Sequence, residues 1–293
     1  MSVALSVALV THESARDLPA CLASLAAAAE RPTSVVIVDN ASAAPPPEAS
    51  VRNAANRGYG AALNQALALI DTEFVVLANP DVVFAPGSLD RMVRFLEAHP
   101  EHALAGPDGT ARSFPTVGLE ACELFLGHRL WPGNPVHGRF FRADLAGRTG
   151  DCDWLVGACL VARRAALAAV GGFDENYFMY FEETDLAWRL ARAGWRCAQV
   201  GDARVAHAGG GSSRGRELEL ERTYLRSQQR FFVRKSGAPA AALLRAVQVL
   251  GQTFRLAVWG GRALVAPESS THLTPARARA RRQLAWLISQ PSE

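Results

Sequence analysis

Apolar and polar residues fall along this chain in blocks whose lengths fit alternating strands and helices. Residues 3–10 read as a buried strand, and "SVVIVDN" (34–40) is a second β-branched run. Between them lies an Ala/Leu helix to about residue 29, opened by Ser14 and Asp17 in a capping-box-like arrangement. A βαβ unit of this kind predicts a parallel sheet covered by helices. Pro45, Pro46 and Pro47 make a stiff loop before a short strand near Val51. Then "NRGYGAALNQALALI" (56–70) is a glycine turn opening a helix, "FVVLAN" (74–79) a strand, and 88–98 a helix.

Residues 107–150 are rich in Gly, Pro and Arg and hold one convincing helix, 118–130, so they read as a long connection. Order returns with a strand in "DWLVGACLVA" (153–162), a helix over 163–170, the turn "GGFDE" (171–175) and a helix from near Glu183 that turns Trp188, Leu190 and Ala191 inward. Strands follow near 196–200 and 203–207. The rest is helical over 215–235, 239–264 and 275–290, with Thr274 and Pro275 as N-cap and first helical residue. In 239–264, Arg245, Gln248, Gln252, Arg255 and Arg262 share a stripe opposite Leu244, Val247, Phe254 and Val258. That is an amphipathic helix, whose apolar face packs on the domain or meets a membrane or partner.

Composition sharpens this picture at three points. The 293 residues are 49% hydrophobic, enough to fill a core. The net charge of +3 hides an uneven split, since residues 204–293 carry 15 basic and 5 acidic side chains. Five cysteines with no CxxC pair exclude a disulfide scaffold or a zinc knuckle and read as reduced, mostly buried thiols. The apolar N-terminus lacks a basic start and a cleavage site, and no segment offers about 20 uninterrupted apolar residues. A cytoplasmic protein touching the inner face of the membrane is expected.

In an open α/β sheet, ligands bind beyond the carboxyl ends of the strands. Four such ends here carry polar residues: Thr11, His12 and Glu13; Asp39 and Asn40; Asn56, Gly58 and Gly60; Asn79 and Asp81. Asp39 is placed to accept from a ring N–H or a ribose hydroxyl, and the glycines would let backbone approach a ligand. Neither GxGxxG nor GxxxxGK[ST] occurs, so phosphate charge must be met otherwise. Asp81 offers a hard oxygen for Mg²⁺ or Mn²⁺, with His207, at the end of "ARVAH", as a second ligand. Glu182, Glu183 and Asp185 follow the apolar "YFMYF", where a carboxylate with a raised pKa could act as general base.

Seven segments in order, "VALVTHES", "VVIVDNAS", "NRGYGAALNQAL", "VVLANPDVVF", "DWLVGACLVARR", "GGFDENYFMYFEETDLAWRLARAGW" and "VAHAGGGSS", resemble the inverting glycosyltransferases of family 2. The resemblance implies the α/β GT-A fold, a Rossmann-like, mostly parallel central sheet with flanking helices, over 1–235, in a nucleotide-binding half (1–106) and an acceptor and catalytic half (107–235). A basic helical extension, 236–293, follows. It also implies that Thr11, Glu13, Asp39, Asn40, Asn56, Gly58, Asn79 and Asp81 bind the nucleotide sugar. Asn79-Pro80-Asp81 stands at the family's DxD position, with Asp81 and His207 on the divalent metal. Trp154, Gly157 and Glu182 would meet the acceptor, and Glu183 would be the base, with Asp185 as alternative. The match is best to the rhamnosyltransferase-like branch, which suggests dTDP-rhamnose as donor and a cell-wall or lipid-linked glycan as acceptor. Two rivals stand beside it: a non-catalytic nucleotide-sugar or glycan binder on the same fold, and a nucleotidyltransferase, whose Gly-rich activating loop is missing from "VTHESARDL". "ARARARR" (276–282) lacks the aromatic interleaving of a nucleic-acid binder.

Overall fold

The computed structural model describes residues 4–125, 136–137, 140–207, 217–265 and 274–289. Two compact units form, one from 1–114 with 141–215 and one from 115–140 with 216–293. The strands are β1 (Leu5–Thr11), β2 (Thr33–Asp39), β3 (Val51–Arg52), β4 (Phe74–Ala78), β5 (Val82–Phe84), β6 (His102–Pro107), β7 (Ala111–Arg112), β8 (Val136–His137), β9 (Phe141–Arg142), β10 (Gly150–Cys152), β11 (Trp154–Leu155), β12 (Cys159–Arg163), β13 (Arg196–Val200) and β14 (Val205–His207). The helices are α1 (Leu18–Ala28), α2 (Tyr59–Leu67), α3 (Ser88–Ala98), α4 (Val117–Leu124), α5 (Arg164–Ala169), α6 (Glu182–Arg192), α7 (Glu217–Ser236), α8 (Ala238–Val265) and α9 (Thr274–Ser289).

In the first unit an eight-stranded sheet runs β10-β13-β6-β12-β4-β1-β2-β3. β1 pairs in parallel with β2 and β4, whereas β12 runs antiparallel to both β4 and β6. Both faces of the central strands are covered, which is why they read as unbroken apolar runs rather than alternations. Leu5, Val7, Leu9, Phe74 and Val76 pack with α1 and α3 through Leu18, Cys21, Leu25, Met92 and Leu96. Ala8, Val10, Val75 and Leu77 point the other way, toward Ala62, Leu63 and Ala66 of α2 and Leu186, Ala187 and Leu190 of α6. Burying one such Leu or Phe stabilises the fold by about 1.5–3 kcal/mol.

Several expectations are corrected locally. Ser14 caps no helix, because its hydroxyl accepts from His12 N–H; α1 starts at Leu18 with Pro in its first turn. On α6 the buried apolar residues are Leu186, Ala187 and Leu190, while Ala191 is exposed and Trp188 half-buried beneath the Arg192 guanidinium. The stretch 107–150 contains short strands beside its helix α4, and residues 126–130 of the expected 118–130 helix lie outside the described residues. All five cysteines are free, three of them buried.

The second unit packs α4, α7, α8 and α9, and α8 buries its polar stripe together with part of the apolar one, Leu244 fully and Val258 against Trp259 and Ala280. Its polar stripe faces inward: Gln248 donates to Gln228 at 2.6 Å, Gln252 to Gln283 at 2.7 Å, Arg245 to the Leu287 carbonyl and Arg255 to the Leu124 carbonyl. Leu244 is buried among them, but Leu243 and Leu250 stand in solvent at 56% and 61% exposure, and Phe254, 39% exposed, sets its ring against Phe125 at 5.4 Å. Gly251 permits the close approach of α4, since a Cβ there would lie 2.6 Å from the Leu124 Cβ. Among the described residues no helix is long and apolar enough to cross a membrane.

Candidate active site

The parallel register of β1 and β2 sets Thr11 opposite Asp39 at the carboxyl edge of the sheet. Asp39 is fully buried and engaged: Oδ1 accepts from the Thr11 hydroxyl at 3.0 Å and the Ser42 hydroxyl at 2.5 Å, and Oδ2 from Ser42 N–H. Asn40 is spent in the same way, donating to Asn56 Oδ1 and the Gly58 carbonyl and accepting from Asn53 and from Arg57 N–H. Glu13 has a left-handed backbone (φ 53°) and accepts from Ala43 N–H at 2.7 Å, fastening the loop after β2. These groups build a rim. Beside it Ala41, Ser42, Arg52, Asn53 and Ala54 line a hollow of 390 Å³ at the ends of β2 and β3.

Gly58 serves a purpose other than the expected approach to a ligand. It has φ +89°, and a Cβ there would sit 2.5 Å from the Phe178 carbonyl oxygen; Tyr59 N–H donates to that same oxygen at 2.9 Å. The glycine turn is thus the socket of the aromatic segment ahead of α6. Gly60 likewise clears room for the Phe173 side chain.

Strand β4 delivers Asn79, Pro80 and Asp81 to the same edge, and β5 then pairs antiparallel with β14 so that Val82 faces His207. That ribbon brings His207 Nε2 to 3.1 Å from Asp81 Oδ1 and 3.5 Å from Asn79 Nδ2. The bond to Asp81 raises the His207 pKa, against the opposing effect of burial. A carboxylate oxygen and an imidazole nitrogen about 3 Å apart match neighbouring ligands of an octahedral ion with bonds of about 2.1 Å. Among the described residues no group of three or more His, Cys, Asp or Glu gathers to hold an ion. An ion here would therefore share its remaining positions with water or a ligand's oxygens, as Mg²⁺ and Mn²⁺ sites for phosphates do.

The third group sits at the start of α6. Tyr180 and Phe181 both have left-handed backbone, φ 67° and 66°, a conformation that costs a bulky residue about 1–2 kcal/mol. The bend turns Glu182 and Glu183 inward at the positive end of the helix. Each has an Oε2 that is closed to water and makes no hydrogen bond. Burial, then the neighbouring Glu183, lifts the Glu182 pKa well above the carboxylate range. Burial lifts Glu183 to about 7, held down in part by N–H groups of its own residue, Thr184 and Gly157. Gly157 lies against the Glu183 side chain, 3.5 Å from where its Cβ would be. Asp185 differs: it is fully buried, paired with Arg189 at 2.7 Å and approached by the Tyr177 hydroxyl at 3.5 Å. Trp154 is half-buried against the core, its indole N–H donating to the Ser113 carbonyl.

Tyr59 links these groups, and sequence reasoning passed over it. Its hydroxyl reaches the Gly157 carbonyl at 3.4 Å, and its pKa is raised well above normal by burial and by the charges of Glu182, Glu183 and, more weakly, Cys159 and Asp81. One hydroxyl thus lies within electrostatic reach of both the paired acids and the aspartate beside His207. Its place directly after the 56–58 turn was the available signal. Ser42, Asn53 and Arg52 were missed too, although Ser42 directly follows the Asp39-Asn40 strand end.

The chain is similar to known proteins. Residues 5–226 match the family model described as "Glycosyltransferase like family 2". The chain is 36% identical over 236 residues to an N-acetylglucosaminyl-diphospho-decaprenol L-rhamnosyltransferase of Mycobacterium tuberculosis, covering 71% of this chain and 76% of the relative. It is 25% identical over 195 residues to the rhamnosyltransferase WbbL of Escherichia coli, covering 61% and 71%. Among solved structures, a mannosyltransferase of Pyrobaculum calidifontis, in complex with GDP-Man and Mn²⁺, superposes with a TM-score of 0.59 at 16% identity, over 97% of this chain and 87% of that one. The fold is GT-A, as expected. The chain is a member of glycosyltransferase family 2.

Proposed function

We propose that this glycosyltransferase moves L-rhamnose from dTDP-rhamnose to a lipid-diphosphate-linked glycan, with inversion at the anomeric carbon. The observation that carries the reading is the Glu183 carboxylate at the start of α6, with one buried oxygen unpartnered and a pKa lifted by burial to about 7. Support for the sugar and the acceptor class comes from the relative whose name specifies L-rhamnose and a diphospho-decaprenol acceptor.

Asp81 and His207 would hold the metal, with Asn79 beside them. A divalent cation bound there supplies positive charge to a leaving diphosphate. The hollow past β2 and β3 receives the nucleotide base, and the Asp39 and Asn40 networks keep its loops in place. Glu183 accepts the proton of the acceptor hydroxyl as that oxygen attacks the anomeric carbon. Burial and the neighbouring Glu183 disfavour a charge on Glu182, so it competes less for that proton. Asp185 is a positioning residue, because its charge is already matched by Arg189. Trp154 and Gly157 wall the acceptor side, and the basic C-terminal helices meet the membrane that carries the acceptor.

The test is a transfer assay with a short-chain lipid diphosphate acceptor, beside titration calorimetry of dTDP-rhamnose with and without Mn²⁺. Product of inverted configuration is expected. Asp81→Ala should abolish metal-dependent donor binding; retained binding would move the metal elsewhere. A chain that binds the donor but turns over nothing would be the non-catalytic rival.

A further inference from the structure

The helical unit holds a cavity of 280 Å³ lined by residues of α4, α7, α8 and α9, and it shares no residue with the groups assigned to the transfer reaction. Amides make part of its wall. Gln252 Nε2 donates to Gln283 Oε1 at 2.7 Å, and the two residues are only 5% and 9% exposed. That bond uses one atom of each amide. Among the described residues Gln252 Oε1 and Gln283 Nε2 have no protein partner, yet neither is sealed from solvent; the space beside them is the cavity they line. Exchanging oxygen and nitrogen in both amides leaves the same offer, one acceptor and one donor side by side. The other amides here are spent: Gln248 donates to Gln228 at 2.6 Å and accepts from Gln229, and Glu120 accepts from Gln228 at 3.2 Å. So are the two cations of the lining, since Arg255 donates to the Glu123 and Leu124 carbonyls and Arg279 lies 3.7 Å from Glu221. Leu225 and the Trp259 ring add an apolar wall.

We infer that this cavity binds one uncharged sugar ring of a glycan, with neighbouring hydroxyls on Gln252 and Gln283 and a C–H face toward Trp259, as a second sugar site of the enzyme. A ligand site is typically an apolar and aromatic hollow with a few placed polar groups, and each hydroxyl of a vicinal pair both donates and accepts, as the two amide atoms require. A hydrocarbon tail would fill the hollow but strand the buried amides. A nucleotide or lipid diphosphate would bring charge to cations already engaged. Water alone would need about nine molecules at about 30 Å³ each, and those against Leu225 and Trp259 would lack the two to four polar partners a buried water takes. Such poorly held waters are the ones that a ring with a hydroxyl edge and a C–H face displaces at a gain. The inference draws on the chain's membership of a glycosyltransferase family and not on the roles proposed for Glu183 or for rhamnose.

The experiment is titration of the full chain with methyl α-L-rhamnoside and with methyl α-D-glucoside, followed by saturation-transfer NMR and by tryptophan fluorescence. Saturable binding of at least one glycoside is expected, weakened by about tenfold or more in Gln252→Leu/Gln283→Leu, which removes both amides and so strands neither. Ala280→Leu, which sets a larger side chain into the α9 wall, should abolish binding; if that variant does not fold, the double substitution carries the test alone. Trp259→Phe should silence the fluorescence change. Asp81→Ala should bind the glycosides as the wild type does. Absence of saturable binding by either glycoside would overturn the inference, and so would binding unchanged in Gln252→Leu/Gln283→Leu. Binding lost in Asp81→Ala would put the sugar in the transfer site and overturn it as well. A wild type that binds the glycosides but transfers no sugar would count against the proposed reaction and leave this site standing.

Discussion

The strand-end rim around Asp39 and the start of α6 differ in how completely their polar groups are satisfied. Around Asp39 and Asn40 each side-chain oxygen and amide has a protein partner within 3.1 Å. Around Glu182 and Glu183 two buried carboxylate oxygens have none. A buried polar atom left without a bond costs about 1–3 kcal/mol, and the left-handed backbone at Tyr180 and Phe181 adds to that cost, so the rest of the fold holds the start of α6 against local strain. The contrast separates a network completed by folding, around Asp39 and Asn40, from a pair of acids at the start of α6 that folding leaves incomplete.

The sharpest way to break that contrast is Glu183→Gln. Turnover should drop by about 10²–10⁴-fold with donor binding intact, measured by transfer assay and calorimetry. Normal turnover would remove Glu183 from the chemistry and return Asp185 to consideration. The same substitution should raise the melting temperature above pH 7, because a raised folded pKa means stability present at pH 4–5 and lost as pH climbs through about 7. Next in size, Gly58→Ala should destabilise by about 2–4 kcal/mol, since the Phe178 backbone occupies the space a methyl needs. A melting point unchanged in that variant would show that the socket is not required.

A smaller effect is the pH profile. The rate of the wild type should fall about tenfold per unit below pH 7 and level off above it. A rate independent of pH from 5 to 8 would mean that no group of this pKa limits turnover. Least of all should Glu182→Gln move that profile, because burial and the neighbouring Glu183 already disfavour the charged form that the amide removes. A shift toward lower pH in this variant would show that Glu182 is charged and coupled to its neighbour.

Much of the architecture was legible from pattern because parallel strands buried on both faces are apolar throughout: β1, β2, β4 and helix α3 lie where the runs of residues place them. β6 escaped notice because "HALAGP" has small residues and no β-branched run, although it is a central strand between β12 and β13. The candidate site was legible as a set of strand ends, and the β5–β14 pairing brings Asp81 and His207 together across the 125 residues that separate them. What stayed hidden depends on tertiary partners. Nothing local says that Asp185 is neutralised by Arg189 while Glu183 is not, nor that Gly58 is shaped for Phe178. The orientation of α8 stayed open for the same reason: periodicity marks two faces but cannot say which one the rest of the protein covers.

The segment ahead of α6 is fastened at both ends, by Tyr59 N–H on the Phe178 carbonyl and by Asp185 N–H on the Phe181 carbonyl at 2.8 Å. Its length is consequently fixed to the residue. One residue more or fewer would turn the helix by about 100° relative to the cleft and offer the hydroxyl of Thr184 or the carboxylate of Glu182 in place of Glu183. Substitutions can drift through this loop, but insertions and deletions cannot.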